Sequence, residues 1–398
     1  MYSIPTGWKY KNLEELVEVN PKTKRPDPDK MVSFLSMSDV SENGQIIGGL
    51  AKQMKRIGSG YPAFKDNDVL VAKITPCFEN GKGALATKLQ NGFGFGSTEF
   101  HILRAGELIL PEYLLLVTQT HHFRATGEIN MTGSAGQKRV PADYLKYYPI
   151  LVPPSNEQTS IVMNIKKWNR SIELIESLIA TKQERRQWLM QQLLTGKHRA
   201  PGFSNKWATK RMKNLVEPIQ RPVPKPTEPY KALGIRSHCK GTFERQVSDP
   251  NTVDMDTLFI ARKGDLMVNI TFAWEGAIAF VPKDHDGYLV SHRFPTYRLK
   301  ESEVDADFLR YMVTQPRFIF TLGLISPGGA GRNRVMSKRD FLEIELSVPS
   351  LEEQRKIGKI LKLVDQEIAL LSKRLVAIRE QKKGLMQKLL SGKVRVNV

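Results

Sequence analysis

A helical pattern that occurs twice constrains this chain most. Residues 153–197 and 349–393 superpose at a constant offset of 196 without a gap, and 15 of the 45 paired positions are identical. Both stretches open with a proline, Pro153 and Pro349, and then a Glu-Gln pair, Glu157-Gln158 and Glu353-Gln354. They close on Leu189-Met190-Gln191-Gln192-Leu193-Leu194-Thr195-Gly196-Lys197 and on Leu385-Met386-Gln387-Lys388-Leu389-Leu390-Ser391-Gly392-Lys393. Between the ends runs a strict alternation of steps of four and three. The first copy passes through Ile161, Ile165, Trp168, Ile172, Ile175, Ile179, Lys182, Arg186, Leu189 and Leu193. The second passes through Ile357, Leu361, Val364, Ile368, Leu371, Leu375, Ile378, Lys382, Leu385 and Leu389. A 3.5-residue repeat is that of helices supercoiled about a partner, not of one amphipathic helix lying on a core. About 39 residues at ~1.5 Å each make a rod of roughly 60 Å. Gly196 and Gly392 stand where a left-handed C-cap belongs. The simplest partner for each copy is the other copy.

The duplication continues through the rest of the chain. Trp8 precedes Leu16-Val17, and Trp207 precedes Leu215-Val216, at the same spacing. Proline-rich basic segments follow at 21–28 and 218–229. Apolar, β-branched runs at 68–75 and 265–271 read as strands, as do 97–102 and 291–296. One helix is predicted over each of 111–122 and 306–317. Next, Gly133-Ser134-Ala135-Gly136-Gln137-Lys138-Arg139-Val140 answers Gly328-Gly329-Ala330-Gly331-Arg332-Asn333-Arg334-Val335. Strands near 147–152 and 344–348 lead into the rods. The expected organisation is a globular domain over 1–152, a coiled-coil helix over 153–199, a second globular domain over 200–348 and a second helix over 349–398. Residues 200–205 are the expected joint.

With 398 residues, 40% of them hydrophobic, the chain can bury two or three real cores. Its net charge of +19 is spread over both halves: 26 Lys+Arg against 19 Asp+Glu in residues 1–200, and 34 against 22 in 201–398. Such a field suits a polyanion, most often nucleic acid, although charge alone does not exclude a merely soluble basic protein. The two cysteines, Cys77 and Cys239, make no disulfide framework or zinc spacing, which fits a reducing cytosol. The first residues lack the order of a secretory signal, and no apolar run is long enough to span a membrane. A cytoplasmic protein is expected.

Enzymatic motifs are missing. There is no phosphate-cradling Walker loop, and Gly92-Phe93-Gly94-Phe95-Gly96 has the wrong spacing for a dinucleotide fingerprint. Val152-Pro153-Pro154-Ser155 has the prolines of an adenine methyltransferase motif but neither its Asp or Asn nor its aromatic residue, and it reads as a helix start. Asp27 and Asp29 sit in a proline loop with no strand to aim them. His121-His122 and His238-Cys239 are adjacent pairs that point apart. No metal site is expected.

The two glycine-rich basic loops carry the binding expectation. Glycines let backbone N–H groups converge on an anion, and Arg or Lys beside them neutralises phosphate. Arg and Gln also match purine edges in the major groove. Arg139 and Arg334 hold the same place in both copies, so a structural salt bridge to the rod suits them at least as well. Residues that differ within a shared frame are better readers of sequence: Gln137 and Lys138 against Arg332 and Asn333, Lys73 against Asn269, and Thr98-Glu99 against His292-Arg293. Ordinary surface drift explains such differences equally well.

Taken together, the Trp8 and Trp207 openings, the glycine-basic loops, the Pro-x3-Glu-Gln starts and the Leu-Met-Gln-x-Leu-Leu-Thr/Ser-Gly-Lys ends resemble the specificity subunits of type I restriction–modification systems. The resemblance covers nearly the whole chain. It implies an α+β fold in which two similar mixed α/β target recognition domains are joined by two long antiparallel coiled-coil helices, as a pseudo-two-fold internal repeat. Each domain would read one half of a split, asymmetric site in double-stranded DNA. Two modification subunits carrying S-adenosylmethionine would dock on this chain, joined by restriction subunits that use ATP and Mg²⁺. The chain itself would bind no cofactor and catalyse nothing. The rivals are a stand-alone DNA-modifying or DNA-cleaving enzyme with an unrecognised active site, and a coiled-coil scaffold with no role on DNA.

Overall fold

The computed structural model describes residues 4–134, 136–328 and 334–396. The chain forms two compact units, residues 1–176 with 373–398, and residues 177–372. The division falls inside both long helices, Ser155–Leu193 and Leu351–Leu390. Each unit therefore owns the beginning of one helix and the end of the other.

The globular part of the first unit holds strands β1 (Lys9–Asn12), β2 (Val17–Val19), β3 (Met31–Leu35), β4 (Leu50–Gln53), β5 (Ala63–Lys65), β6 (Asp68–Ala72), β7 (Gly83–Leu85), β8 (Phe93–Gly96), β9 (Phe100–Ala105) and β10 (Pro149–Val152). They form an antiparallel sheet in the order β2-β9-β6-β7, a second sheet β4-β3-β8-β5 in which β3 and β8 run parallel, and the ribbon β1-β10. β6 is central, and all five of its residues are buried, which is why Val69-Leu70-Val71-Ala72 reads as unbroken apolar sequence.

The second unit repeats the frame with β11 (Ala208–Arg211), β12 (Val216–Ile219), β13 (Pro222–Pro224), β14 (Tyr230–Ile235), β15 (Thr242–Val247), β16 (Thr257–Ile260), β17 (Leu266–Val268), β18 (Ile278–Phe280), β19 (Leu289–Val290), β20 (Thr296–Leu299) and β21 (Glu345–Val348). Its sheets are β12-β20-β17-β18, β13-β16-β19-β14-β15 and β11-β21. The second sheet gains an edge strand, β13, without an equivalent in the first unit.

A buried aspartate opens each central strand. Asp68 accepts from Arg104 Nε and Nη2 at 2.9 and 2.7 Å and from Lys65 N at 2.8 Å. Asp265 accepts from Arg221 Nη1 and Nη2 at 2.6 and 3.0 Å and from Arg262 N at 2.9 Å. A carboxylate this buried persists only with such bonds. The arginine comes from β9 in one unit and from the turn after β12 in the other.

The single helices expected at 111–122 and 306–317 are each two. The first breaks into Pro111–Thr118 and His121–Ile129, the second into Ala306–Met312 and Pro316–Leu324. Thr118-Gln119 in one copy and Thr314-Gln315 in the other mark the break. Thr118 Oγ1 and Thr314 Oγ1 each donate back to a carbonyl three residues earlier, at 2.8 Å. Thr120 then caps the second helix by accepting from Phe123 N, whereas Pro316 starts its counterpart, where a missing N–H costs nothing.

The two long helices are antiparallel within each unit, and their ends enter the globular cores. In the first unit Ile161, Ile165 and Leu389 are buried with Trp8, Leu13, Leu114 and Leu145, and Leu385 packs against them. In the second, Leu193, Ile357 and Leu361 are buried with Leu215, Phe308 and Phe341, and Leu189 packs on that cluster. Val364 is buried too. Towards the middle, Trp168, Ile172, Ile175, Ile179, Ile368, Leu371, Leu375 and Ile378 are half-buried, while most of their neighbours are exposed. The polar seam positions differ. Lys182 Nζ lies 2.7 Å from Glu367, and Arg186 bonds Asp365, which also accepts from Tyr311 Oη at 2.7 Å. Lys382, the counterpart of Arg186, is shielded by the helices, and that desolvation lowers its pKa.

Each helix end is clasped by the start of the other helix. Arg199 donates to Glu353 in the second unit, and Arg395 donates to Glu157 in the first. Gly196 (φ 71°) and Gly392 (φ 67°) are the left-handed caps, and a Cβ on them would meet Trp207 at 3.3 Å and Pro5 at 2.5 Å. Trp8 Nε1 also donates to Glu157, at 3.1 Å. The glutamines beside these glutamates bind the domain: Gln158 accepts from Leu110 N and Gln354 from Asp305 N. Within residues 200–205, Pro201, Gly202, Ser204 and Asn205 are exposed, while the other two are tied to the second unit. Ala200 is 1% exposed, its N–H faces Glu353 at 3.3 Å, and Phe203 lies on the core.

Candidate nucleic-acid interface

In the first unit the glycine-rich loop returns as a strap across the end of β6. Gly133 (φ 120°) and Gly136 (φ 84°) make its turn. Arg139 then bridges Ile74 and Thr132, Val140 N donates to Lys73 O at 2.8 Å, and Lys73 N donates to Glu99 O at 2.9 Å. Three segments that are distant in sequence thereby meet: Lys73, the turn at Thr98-Glu99, and Lys138-Arg139. Arg139 Nε and Nη2 each reach Glu99 at 2.9 Å. The bridge stays within the domain and does not go to the rod. Arg139 holds the Glu99 carboxyl below its usual range, chiefly by these hydrogen bonds, and Lys73 adds to the effect. Thr98, Gln137 and Lys138 are exposed, and their side chains form no hydrogen bond among the described residues.

Beneath the strap lies a histidine that sequence reading passed over. His101 is 6% exposed; Nε2 faces Val140 O at 2.8 Å and Nδ1 faces Asn20 Nδ2 at 3.1 Å. Asn20 Oδ1 accepts from Ile102 N at 3.0 Å, which fixes its amide. The proton must therefore sit on Nε2, donated to Val140, with Nδ1 as acceptor. Burial lowers the pKa of this neutral ring.

The second unit repeats the anchoring bonds that follow the strap: Met336 N donates to Ile270 O at 2.8 Å, and Ile270 N donates to Arg293 O at 3.0 Å. Arg332 and Asn333 lie outside the described residues. Arg334 stacks over Trp274 at 5.2 Å, and Arg293 Nη1 lies 3.4 Å from Thr271 Oγ1. His292 O accepts from Lys338 Nζ at 3.1 Å. Asn269 is 8% exposed and its Oδ1 accepts from Thr271 N at 3.0 Å, so it shapes this turn instead of facing solvent. Arg293 occupies the sequence place of Glu99. The carboxylate that neutralises Arg139 is thus replaced by a cation, and Arg334 turns to an aromatic face. Trp274 was legible only as the counterpart of Phe78. Among the described residues, no group of three or more His, Cys, Asp and Glu could hold a metal ion, and no helix is long and apolar enough to cross a membrane.

Two like frames that present different side chains at the strap define a duplicated protein with two non-equivalent surfaces. A family model described as the type I restriction modification DNA specificity domain matches residues 5–181 and 247–380, and the chain belongs to this family. It is similar to the type I restriction enzyme EcoEI specificity subunit of Escherichia coli, 37% identical over 215 residues, and to the EcoAI specificity subunit of the same organism, 35% identical over 217. Each match covers 52% of this chain and 36% of the relative, so the chain spans about a third of the length of these curated relatives. The fold is that of a crystal structure of the HsdS subunit from Thermoanaerobacter tengcongensis, with a TM-score of 0.59 at 19% identity, covering 99% of both chains.

Proposed function

We propose that this chain is the DNA-recognition subunit of a type I restriction–modification complex and catalyses no step itself. Residues 1–152 and 200–348 act as target recognition domains, each reading one half of an asymmetric, bipartite duplex target. The observation that carries this reading is the repeated strap. Its frame is common to both units, yet it presents Lys73, Thr98, Gln137, Lys138 and Arg139 in one and His292, Arg293 and Arg334 in the other, with Arg332 and Asn333 as further candidates by sequence. Asn269 positions the second strap. A shared frame with different outward side chains is what two different half-sites require.

The long helices carry two modification subunits, which bring S-adenosylmethionine, and restriction subunits bring ATP and Mg²⁺. Family membership supports these partners. The test is to reconstitute the chain with modification subunits and map methylated adenines. An asymmetric split target is expected. Methylation without a common sequence, or S-adenosylmethionine bound by the isolated chain, would return the reading to the enzyme or scaffold alternatives.

A further inference from the structure

We propose that, in the first unit alone, the cleft between residues 22–25 and 59–63 holds a DNA phosphodiester backbone, with Lys22 and Lys24 as phosphate contacts. The inference rests on the DNA-reading function above and adds residues to it that lie away from the straps.

In the segment after β2, Thr23 is half-buried between the exposed Lys22 and Lys24. Thr23 and Arg25 are held by the body of the unit. Arg104 Nη2 donates to Thr23 Oγ1 at 3.0 Å, and Arg25 donates through Nη1 and Nη2 to Ile57 O and Gly58 O at 3.2 and 2.7 Å. Lys22 and Lys24 are left exposed and without a hydrogen bond or ion pair among the described residues. Between this segment and Ser59, Tyr61 and Ala63 lies an open cleft of about 480 Å³. Tyr61 is 40% exposed and its ring is braced edge-on against Phe34.

The second unit shows what the same frame does without the cleft. At an offset of 200, Lys225 takes the place of Arg25, and its Nζ donates to Val253 O at 2.7 Å. Val253 ends a 3₁₀ turn, as Ile57 does. The outward places of Lys22 and Lys24 are taken by Pro222 and Pro224. There the segment is strand β13 and closes against β16, with Pro222 opposite Phe259 and Pro224 opposite Thr257. So the unit that leaves the gap open also supplies two unpaired cations on an anchored segment. The unit that closes it has prolines at both of these places. Two ammonium groups at a spacing of two residues, carried on an anchored backbone, match successive negative charges on a backbone, which carry no sequence information. The Thr23 and Arg25 anchors already order the backbone of this segment, so only the two lysine side chains remain to be ordered on binding.

The test uses the full-length chain and a mixed-sequence DNA duplex, with affinity read by fluorescence anisotropy over a range of salt. Lys22→Gln with Lys24→Gln should flatten the plot of log affinity against log salt by about 1.8, twice the ~0.9 per phosphate contact. Lys22→Arg with Lys24→Arg should keep the parental slope. A control of equal charge loss, Lys167→Gln with Lys373→Gln on exposed helix positions, should change the slope by much less. A flattening no greater than that control overturns the cleft assignment while leaving DNA reading intact. A parent chain whose affinity ignores salt overturns both.

Discussion

Arg199 closes on Glu353 as a two-pronged pair, Nε to Oε1 at 2.8 Å and Nη2 to Oε2 at 2.6 Å, across 154 residues of chain. Glu353 is fully buried, and its Oε1 also faces the N–H of Ala200. At the offset of 196 the pair recurs as Arg395 and Glu157. It ties the end of one long helix to the beginning of the other and so sets their antiparallel register.

Glu353→Ala should therefore destabilise the second unit. It leaves the Ala200 N–H and the Arg199 guanidinium without their acceptor, and a buried unsatisfied donor costs about 1–3 kcal/mol. Thermal unfolding should shift down, and Glu353→Gln, which keeps one acceptor, should shift less. Equal melting of parent and Glu353→Ala would show that the clasp contributes nothing.

The helix seam makes a paired prediction two residues apart. Leu361 is fully buried and Leu363 is 53% exposed. Leu361→Ala should cost about 2–5 kcal/mol by removing buried methyl groups and leaving a cavity. Leu363→Ala should stay within about 0.5 kcal/mol, as surface changes do. Urea unfolding of the two variants checks the register.

A pH response should belong to the first unit. The folded pKa of His101 lies below its ordinary 6.5, because the buried ring resists protonation. Above that ordinary value both folded and unfolded rings are neutral, and stability is full. As pH falls below it, the unfolded ring takes up the proton first, so stability declines until the folded pKa is reached. His101→Gln should flatten this part of the stability curve while lowering overall stability. Pro295 holds this place in the second unit. An unchanged pH profile in His101→Gln would rule the histidine out as its source.

Domain replacement tests the division of labour. A chain with residues 207–348 replaced by a second copy of 8–152 should direct methylation to a palindromic target built from one half-site twice. Recovery of the original asymmetric site would count against one domain reading one half.

Helix ends and half the seam were legible because they are local. Steps of four and three place Ile161, Ile165 and Ile172 on one face whatever they touch, and a glycine after such a run marks its end. Repetition made the central strands at 68–72 and 266–268 readable too, since each could be checked against its counterpart, whereas 97–99 and 291–295, expected as strand, are turns ahead of β9 and β20. The glycine-rich loop was recognisable as a turn, but its arginine could not be assigned: Arg139 had a rod or a phosphate to choose from, and took Glu99. His101 gave no signal, because a single histidine in a strand looks the same buried or exposed.

The sequence by itself determined a duplicated α+β chain with two long heptad helices, since periodicity and repetition survive without knowledge of any long-range contact. Tertiary structure alone decided that each compact unit ends inside the helices, that Glu353 and Glu157 clasp the arriving arginines, and that the strap meets Glu99 in one unit and Trp274 in the other. These are pairings between residues far apart in the chain. They are selected by which buried charges and ring faces the packed frame leaves without a partner, and no local pattern encodes that.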